Sequence, residues 1–145
     1  MPNVIVLAKQ VFYTQDLRID RTTKKLKTEG VARVISESDK NAIEEAVRLK
    51  EKHGGKITVL TLGPPEAKEA LREAIAMGAD EGYMLVGPEF ENSDAHATAV
   101  ALAAGIRKIG QFDMILCGET SEDQYSFQVG PRTAENLNLP QITYA

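Results

Sequence analysis

The sequence predicts an α/β domain built on a parallel, five-stranded sheet with helices on both faces. Apolar runs such as Val4-Ile-Val-Leu-Ala8 and Ile57-Thr-Val-Leu-Thr-Leu62 lack the alternation of half-exposed strands, so they read as strands covered on both sides. Between them lie amphipathic stretches of helical period. The connections are short, and repeated strand–helix–strand units of this kind make a parallel sheet. A length of 145 residues suits one domain, residues 1–145, with one core.

The elements follow in order. Val4–Ala8 is the first strand. The polar stretch from Lys9 to Gly30 is long for a loop in a compact domain, which marks it as functional or as a hairpin excursion within residues 9–35. Within it Leu17-Arg-Ile-Asp20 alternates as a small edge strand, Arg21–Lys24 supplies the turn, and Val31–Ile35 returns. The first long helix spans Ser38–His53. Ala42, Ile43, Ala46, Val47 and Leu49 form its apolar stripe, Ser38 its N-cap, and Gly54-Gly55 its stop. Ile57–Leu62 is the next strand, turned by Gly63-Pro-Pro65. A helix over Glu66–Met77 follows and ends at Gly78. Gly82–Val86 is a third strand. An alanine-rich helix over Ser93–Ile109 is suited to close packing. Phe112-Asp-Met-Ile-Leu-Cys117 reads as a buried fourth strand, Arg132–Leu137 as a helix, and Gln141-Ile-Thr-Tyr144 as the start of a fifth strand.

The stretch Gly118-Glu-Thr-Ser-Glu-Asp-Gln-Tyr-Ser-Phe-Gln-Val-Gly-Pro131 carries the functional signal. It lies between the C-terminal end of a strand and the start of a helix, the edge where open α/β sheets bind ligands. Free N–H groups at a helix start attract phosphate. Thr120, Ser121, Ser126 and Gln128 add polar side chains. The spacing alone equally fits an ordinary capped helix start with Ser126 as N-cap.

Composition narrows the class. A net charge of −4, with Lys and Arg interleaved with Glu, argues against a nucleic-acid surface. One cysteine permits neither an internal disulfide nor a multi-cysteine metal site, and it suits a cytoplasmic setting. No apolar run has membrane-spanning length, and the first lacks the basic flank of a signal peptide.

Several motifs in this order resemble the β subunit of electron transfer flavoproteins. They are Lys9-Gln-Val11, the run Asp39-Lys-Asn-Ala-Ile-Glu-Glu-Ala-Val-Arg-Leu-Lys-Glu-Lys52, Leu62-Gly-Pro64, Ala74-Ile-Ala-Met-Gly-Ala-Asp-Glu81 and Gln128-Val-Gly-Pro131. The resemblance covers essentially the whole chain. It implies a Rossmann-like fold of the adenine nucleotide α-hydrolase type. It also implies a role as half of a heterodimer that carries electrons between flavin dehydrogenases together with an α subunit. The implied cofactor is AMP or, in bifurcating members, FAD. By position, the resemblance puts adenine near Leu7 and Leu62, with Ser36 to Asp39 lining the nucleoside. The phosphates are wrapped by the loop of Gly118, Thr120, Ser121, Asp123, Ser126, Phe127, Gln128 and Val129.

The chain departs from the family pattern at Phe12-Tyr13 (usually Pro-Asp), Ser36-Glu37 (Asn-Pro), Glu119-Thr120 (a basic residue and Gln) and Ser126 (Thr). Glu119 brings negative charge toward the phosphate, so it is expected to point away or to weaken binding. Family members continue beyond this length, which implies a fragment, one piece of a split protein or a short relative. Such a chain is expected to leave Ile142 and Tyr144 exposed and to self-associate.

Other constellations carry less. Cys117 reads as a small buried apolar residue rather than a nucleophile, since no His lies nearby in sequence. His53 and His96 are isolated surface residues and make no metal site. Asp80-Glu81 and the acidic loop at Glu89–Glu91 read as solvated rather than catalytic. No Walker lysine or nucleophile-elbow motif occurs, and no catalytic constellation is visible. In an electron carrier the flavin holds the electrons and the protein binds and orients it. A different class, a stand-alone adenine-nucleotide sensor like the universal stress proteins, shares this architecture. An ATP-hydrolysing or adenylating enzyme fits less well, because no Ser-Gly-Gly phosphate-binding start follows the first strand.

Overall fold

A computed structural model describes residues 1–145. In chain order the elements are β1 (Asn3–Leu7), β2 (Gln10–Phe12), β3 (Arg18–Ile19), β4 (Leu26–Lys27), β5 (Arg33–Ile35), α1 (Glu37–His53), β6 (Lys56–Leu62), α2 (Lys68–Met77), β7 (Glu81–Leu85), α3 (Ala95–Ile109), β8 (Met114–Cys117) and α4 (Val129–Leu137). The main sheet has 4 strands in the order β7-β6-β1-β8, every pair parallel. Val4 lies opposite Ile57 on one side and Met114 on the other.

The unbroken apolar run of β1 is explained by its central place. Val4, Val6 and Ala8 face α1 and α2, joining Ile43, Ala46, Ile57, Val59, Ala70 and Ala74. Ile5 and Leu7 face the other layer, with Leu60, Leu102 and Ile106, and Val129 and Leu137 of α4 pack at its margin. Each fully buried aliphatic side chain of this kind contributes about 1.5–3 kcal/mol. The alanine-rich helix packs closely, as its sequence implies. Ala99 and Ala103 are fully buried, and a Cβ at Gly105 would sit 3.2 Å from both Leu60 and Leu85.

The segment after β1 forms two small antiparallel ladders. β2 pairs with β5, and β3 pairs with β4 around a turn that Asp20 organises by accepting from the Thr22 and Thr23 N–H groups.

Three expectations are corrected. The sheet has four strands rather than five, because Gln141–Tyr144 forms no strand. Asn138 turns the chain out of α4 in the left-handed region, and Pro140 lacks an N–H for a ladder. No element covers Ile142 or Tyr144, which are 87% and 85% exposed. Second, β8 is therefore an edge strand and not a buried one. Met114 and Cys117 are exposed and its inner residues only half-buried. Third, the helix starts move. α1 begins at Glu37, so Ser38 lies inside it, and α4 begins at Val129 with Gln128 at the N-cap position, so Ser126 is no cap.

Candidate functional site

The C-terminal ends of β1, β6 and β8 open onto one cleft of about 290 Å³. Leu7, Leu60, Leu62 and Pro64 give it an apolar floor. The start of α3 and the residues before it, with Phe90, Ser93 and Thr98, form one wall, and the Gly118–Gly130 turn forms the other. A cavity of about 310 Å³ lies at the opposite ends of the strands, beside Asn3, Lys56, Thr58 and Glu81. There Lys56 pairs with Glu81 at 2.8 Å and Thr58 donates to Glu81 at 2.9 Å, so its polar groups satisfy one another. Topology favours the first cleft, since parallel sheets bind ligands at their C-terminal edge.

Asp39 organises the back of the cleft. It sits in the first turn of α1, is 7% exposed, and accepts from the Lys9 N–H at 2.8 Å and the Gly118 N–H at 3.0 Å. Burial pushes its carboxyl up to about 7, against the pull of those two donors. Gly118 is required by this approach. A Cβ there would lie 2.6 Å from Asp39 Oδ1, 2.8 Å from the Asp39 nitrogen, and against Ser38 Oγ.

The turn is then tied to the start of α1. The Ser38 hydroxyl donates to the Thr120 carbonyl, and the Ser36 hydroxyl reaches the same oxygen at 3.5 Å. The Glu37 N–H donates to the Glu122 carboxylate at 2.7 Å. An acid distant in sequence thus satisfies a helix start that no local side chain caps. Asp123 pairs with Lys9 Nζ at 2.7 Å, and Ser121 Oγ accepts from the same ammonium at 3.5 Å.

The start of α4 is different. None of the backbone N–H groups from Ser126 through Gly130 has an acceptor within the protein. Tyr125 (φ 48) and Phe127 (φ 56) occupy the left-handed region, and Gln128 returns to the right-handed one (φ −116, ψ −26). Alternation of this kind turns successive N–H groups toward one side, as in anion-binding nests. The hydroxyl of Thr120 and the side-chain oxygen of Gln10, both in the cleft lining, are also without partners.

Of the residues expected in a site, Leu7, Asp39, Leu62, Gly118, Thr120, Ser121, Ser126, Phe127, Gln128 and Val129 line this one cleft. Ser36 and Asp123 lie behind it, engaged with Thr120 and Lys9. Glu119 is among the residues of the lining. Cys117 faces the cleft and is exposed, a correction to its expected burial. Its sulfur packs where a Cβ at Gly130 would come within 2.8 Å, and poor solvation together with Asp39 pushes the thiol up to about 11. That is no setting for a thiolate.

Lys9 is a site residue that sequence reasoning alone does not single out. It is the only cation in the lining, against Asp39 and Glu119. Its place directly after the first strand is the available signal. Phe90, Ser93 and Thr98 are equally silent in the sequence, because the acidic loop between β7 and α3 reads as an ordinary solvated connection.

Comparison with known proteins follows the same line. Residues 23–145 match the electron transfer flavoprotein domain. The chain is 51% identical over 142 residues to the electron transfer flavoprotein subunit beta of Thermoanaerobacterium thermosaccharolyticum, covering 98% of this chain and 54% of that protein. Identity to the subunit of the same description from Clostridium acetobutylicum is 46%, with coverage of 98% and 54%. Identity to the caffeyl-CoA reductase-Etf complex subunit CarD of Acetobacterium woodii is 42%, with coverage of 97% and 54%. The chain spans about half the length of the curated relatives it matches. No helix is long and apolar enough to cross a membrane. A parallel sheet with a polar cleft at its strand ends and a family match over most of its length lead to one conclusion: the chain belongs to the electron transfer flavoprotein domain family.

Proposed function

We propose that residues 1–145 form one adenine-nucleotide-binding domain of an electron transfer flavoprotein β-type subunit. It holds AMP or FAD in the cleft at the ends of β1, β6 and β8. With an α subunit it takes part in carrying electrons between flavin dehydrogenases in the cytoplasm. The observation that carries this reading is the run of unpartnered N–H groups from Ser126 to Gly130, residues that line the same cleft as the only lining cation, Lys9. Donors of this kind suit a phosphate or pyrophosphate. The floor of Leu7 and Leu62 suits a planar base. Glu119 opposes anion entry, so a ligand with few phosphates is favoured over a triphosphate.

A bound flavin would supply the electron-carrying chemistry; the chain's own residues bind, orient and exclude water. The names of two relatives support the role. CarD belongs to a caffeyl-CoA reductase-Etf complex, and a protein of Anaerotignum propionicum, 42% identical, is an acryloyl-CoA reductase electron transfer subunit gamma. The test is mass analysis of ligand retained on the purified chain, with calorimetric titration of AMP, ADP and FAD. Retained or saturable binding of AMP or FAD supports the assignment. Absence of binding by all three overturns it.

A further inference from the structure

Lys9 in the cleft lining forms an ion pair with Asp123 behind it, and the two ends of that pair are held very differently. The Lys9 backbone is fixed. Its N–H donates to the buried Asp39 at 2.8 Å, and its carbonyl accepts from the Ser36 N–H at 3.0 Å. The ammonium therefore swings from a rigid post at the end of β1. Asp123 rides on the turn between β8 and α4, where the internal backbone bond is Tyr125 N–H to the Ser121 carbonyl at 2.9 Å. The ammonium reaches both Asp123 oxygens, at 2.7 and 2.9 Å. The two side chains are 38% and 34% exposed, so the pair is screened and can exchange partners without unpacking the core.

We propose that Lys9 is the anion-binding cation of this cleft and that Asp123 is its built-in competitor. An incoming phosphate displaces the Asp123 carboxylate from the Lys9 ammonium and frees the outer part of the turn. The proposal rests on the nucleotide reading above but goes beyond it, since it assigns a position to Lys9 and a sign to Asp123. The reason is electrostatic. With Asp123 engaged, Lys9 does not offset Glu119 in the lining, and an incoming anion is disfavoured. Transfer of the ammonium to the ligand reverses that balance beside the free N–H groups at the start of α4. Ser121, 3.5 Å from the ammonium, can hold it during the exchange.

The experiment titrates AMP and adenosine separately into the full chain and its Asp123→Asn, Lys9→Met, Lys9→Arg and Lys9→Met/Asp123→Asn variants at two salt concentrations. Adenosine lacks the phosphate, so it reports on folding and on the base site. Asp123→Asn should bind AMP about tenfold more tightly, and Lys9→Met about tenfold more weakly, the effect of making or breaking one charge-assisted hydrogen bond. Adenosine should be unchanged in both. The double variant should behave as Lys9→Met, because without the cation there is nothing to compete for. Lys9→Arg should retain most of the affinity and its salt dependence. AMP binding by Asp123→Asn that is unchanged or weaker than in the parent chain would overturn the competitor role while leaving the nucleotide reading intact. Unchanged AMP binding by Lys9→Met would remove the cation assignment. Failure of AMP, ADP and FAD to bind both the parent chain and Asp123→Asn would bring down the nucleotide reading as well.

Discussion

Asp39 holds Gly118: its carboxylate accepts from the Gly118 N–H at 3.0 Å across 79 residues of sequence. The other carboxylate oxygen accepts from the Lys9 N–H at 2.8 Å. One buried side chain thereby ties the ends of the neighbouring strands β1 and β8 to the start of α1, and these three elements back the cleft.

Asp39 makes stability depend on pH in an unusual direction. Its carboxyl is raised from 3.8 to about 7 by burial, so between those values the folded chain holds a proton that the unfolded chain has released. Stability should fall as pH rises through that window, with a slope of up to about 1.4 kcal/mol per pH unit from this group, and level off above it. Asp80 runs the other way at lower pH. Lys50 and the Ile57 N–H hold its carboxyl down, so its contribution is present above 3.8 and lost below its lowered value. Urea midpoints of the parent chain and Asp39→Asn at pH 5 and pH 8 measure the difference. The advantage of the parent chain should be larger at pH 5, and an equal gap at both values would show that the Asp39 charge is not penalised.

Gly118→Ala should destabilise the chain by about 1–3 kcal/mol, because the added methyl meets backbone as well as side chain. It would lie 2.8 Å from the Asp39 nitrogen and 2.6 Å from its carboxylate, neither of which can swing away without breaking the strand-end tie. The turn would lift from α1, and Ser38 and Glu122 would lose their partners. Thermal melts read the stability, and faster amide exchange at Gly118 and Lys9 reads the lifting. Wild-type melting and exchange in Gly118→Ala would contradict the close approach.

Phe127→Gly should be close to neutral, within about 1 kcal/mol of the parent, an unusual result for removal of an aromatic ring. Left-handed backbone costs an L-residue about 1–2 kcal/mol, of which the greater chain entropy of glycine returns about 0.5–1. The ring is 46% exposed and lies 6.5 Å from the Tyr125 ring, so its removal costs about 1 kcal/mol of partial burial, which roughly offsets the relief of strain. Phe127→Ala keeps the strain without the ring and should show no gain. A melting temperature lower in Phe127→Gly than in Phe127→Ala would mean that the left-handed strain is smaller than the chain entropy glycine adds, and an equal, large drop in both variants relative to the parent would mean that the ring dominates this position.

How much of this is legible in the sequence follows from the range of the interactions. The doubly covered strands β1 and β6 are legible because burial on both faces removes alternation. The cleft is legible because a polar turn between a strand and a helix marks the ligand edge. The exposure of β8 is not, since Met-Ile-Leu-Cys has the same composition in a central strand as in an edge strand, and only its neighbours decide. The absence of a fifth strand has the same cause: Gln141–Tyr144 alternates well, but alternation does not supply a surface to cover Ile142. Lys9 looks like any lysine until β1 and the turn are brought together. Glu122 as the partner of the α1 start has no local signal, because its acceptor role spans 85 residues.

Ser126→Asp tests the anion-binding start of α4 most directly. Ser126 lies in the cleft lining, and its N–H begins the unpartnered run. A carboxylate there does two things at once. It places negative charge near the positive end of α4, two residues before the N-cap position, and it adds a negative charge beside Glu119. The first effect stabilises the folded chain by up to about 1 kcal/mol, so the variant should melt at or above the temperature of the parent. The second fills the phosphate position and repels its occupant, so AMP affinity should fall by about a hundredfold, the combined effect of a lost charge-assisted hydrogen bond and a new like-charge repulsion. Adenosine affinity should change little. That combination, a stable chain selectively blind to the phosphate, separates displacement of an anion from damage to the fold. Ser126→Ala supplies the contrast: it leaves the backbone donors free, so AMP binding should fall only several-fold, about 1 kcal/mol for one neutral hydrogen bond. Calorimetry on the three chains measures both ligands, and unchanged AMP affinity in Ser126→Asp would place the phosphate elsewhere in the cleft.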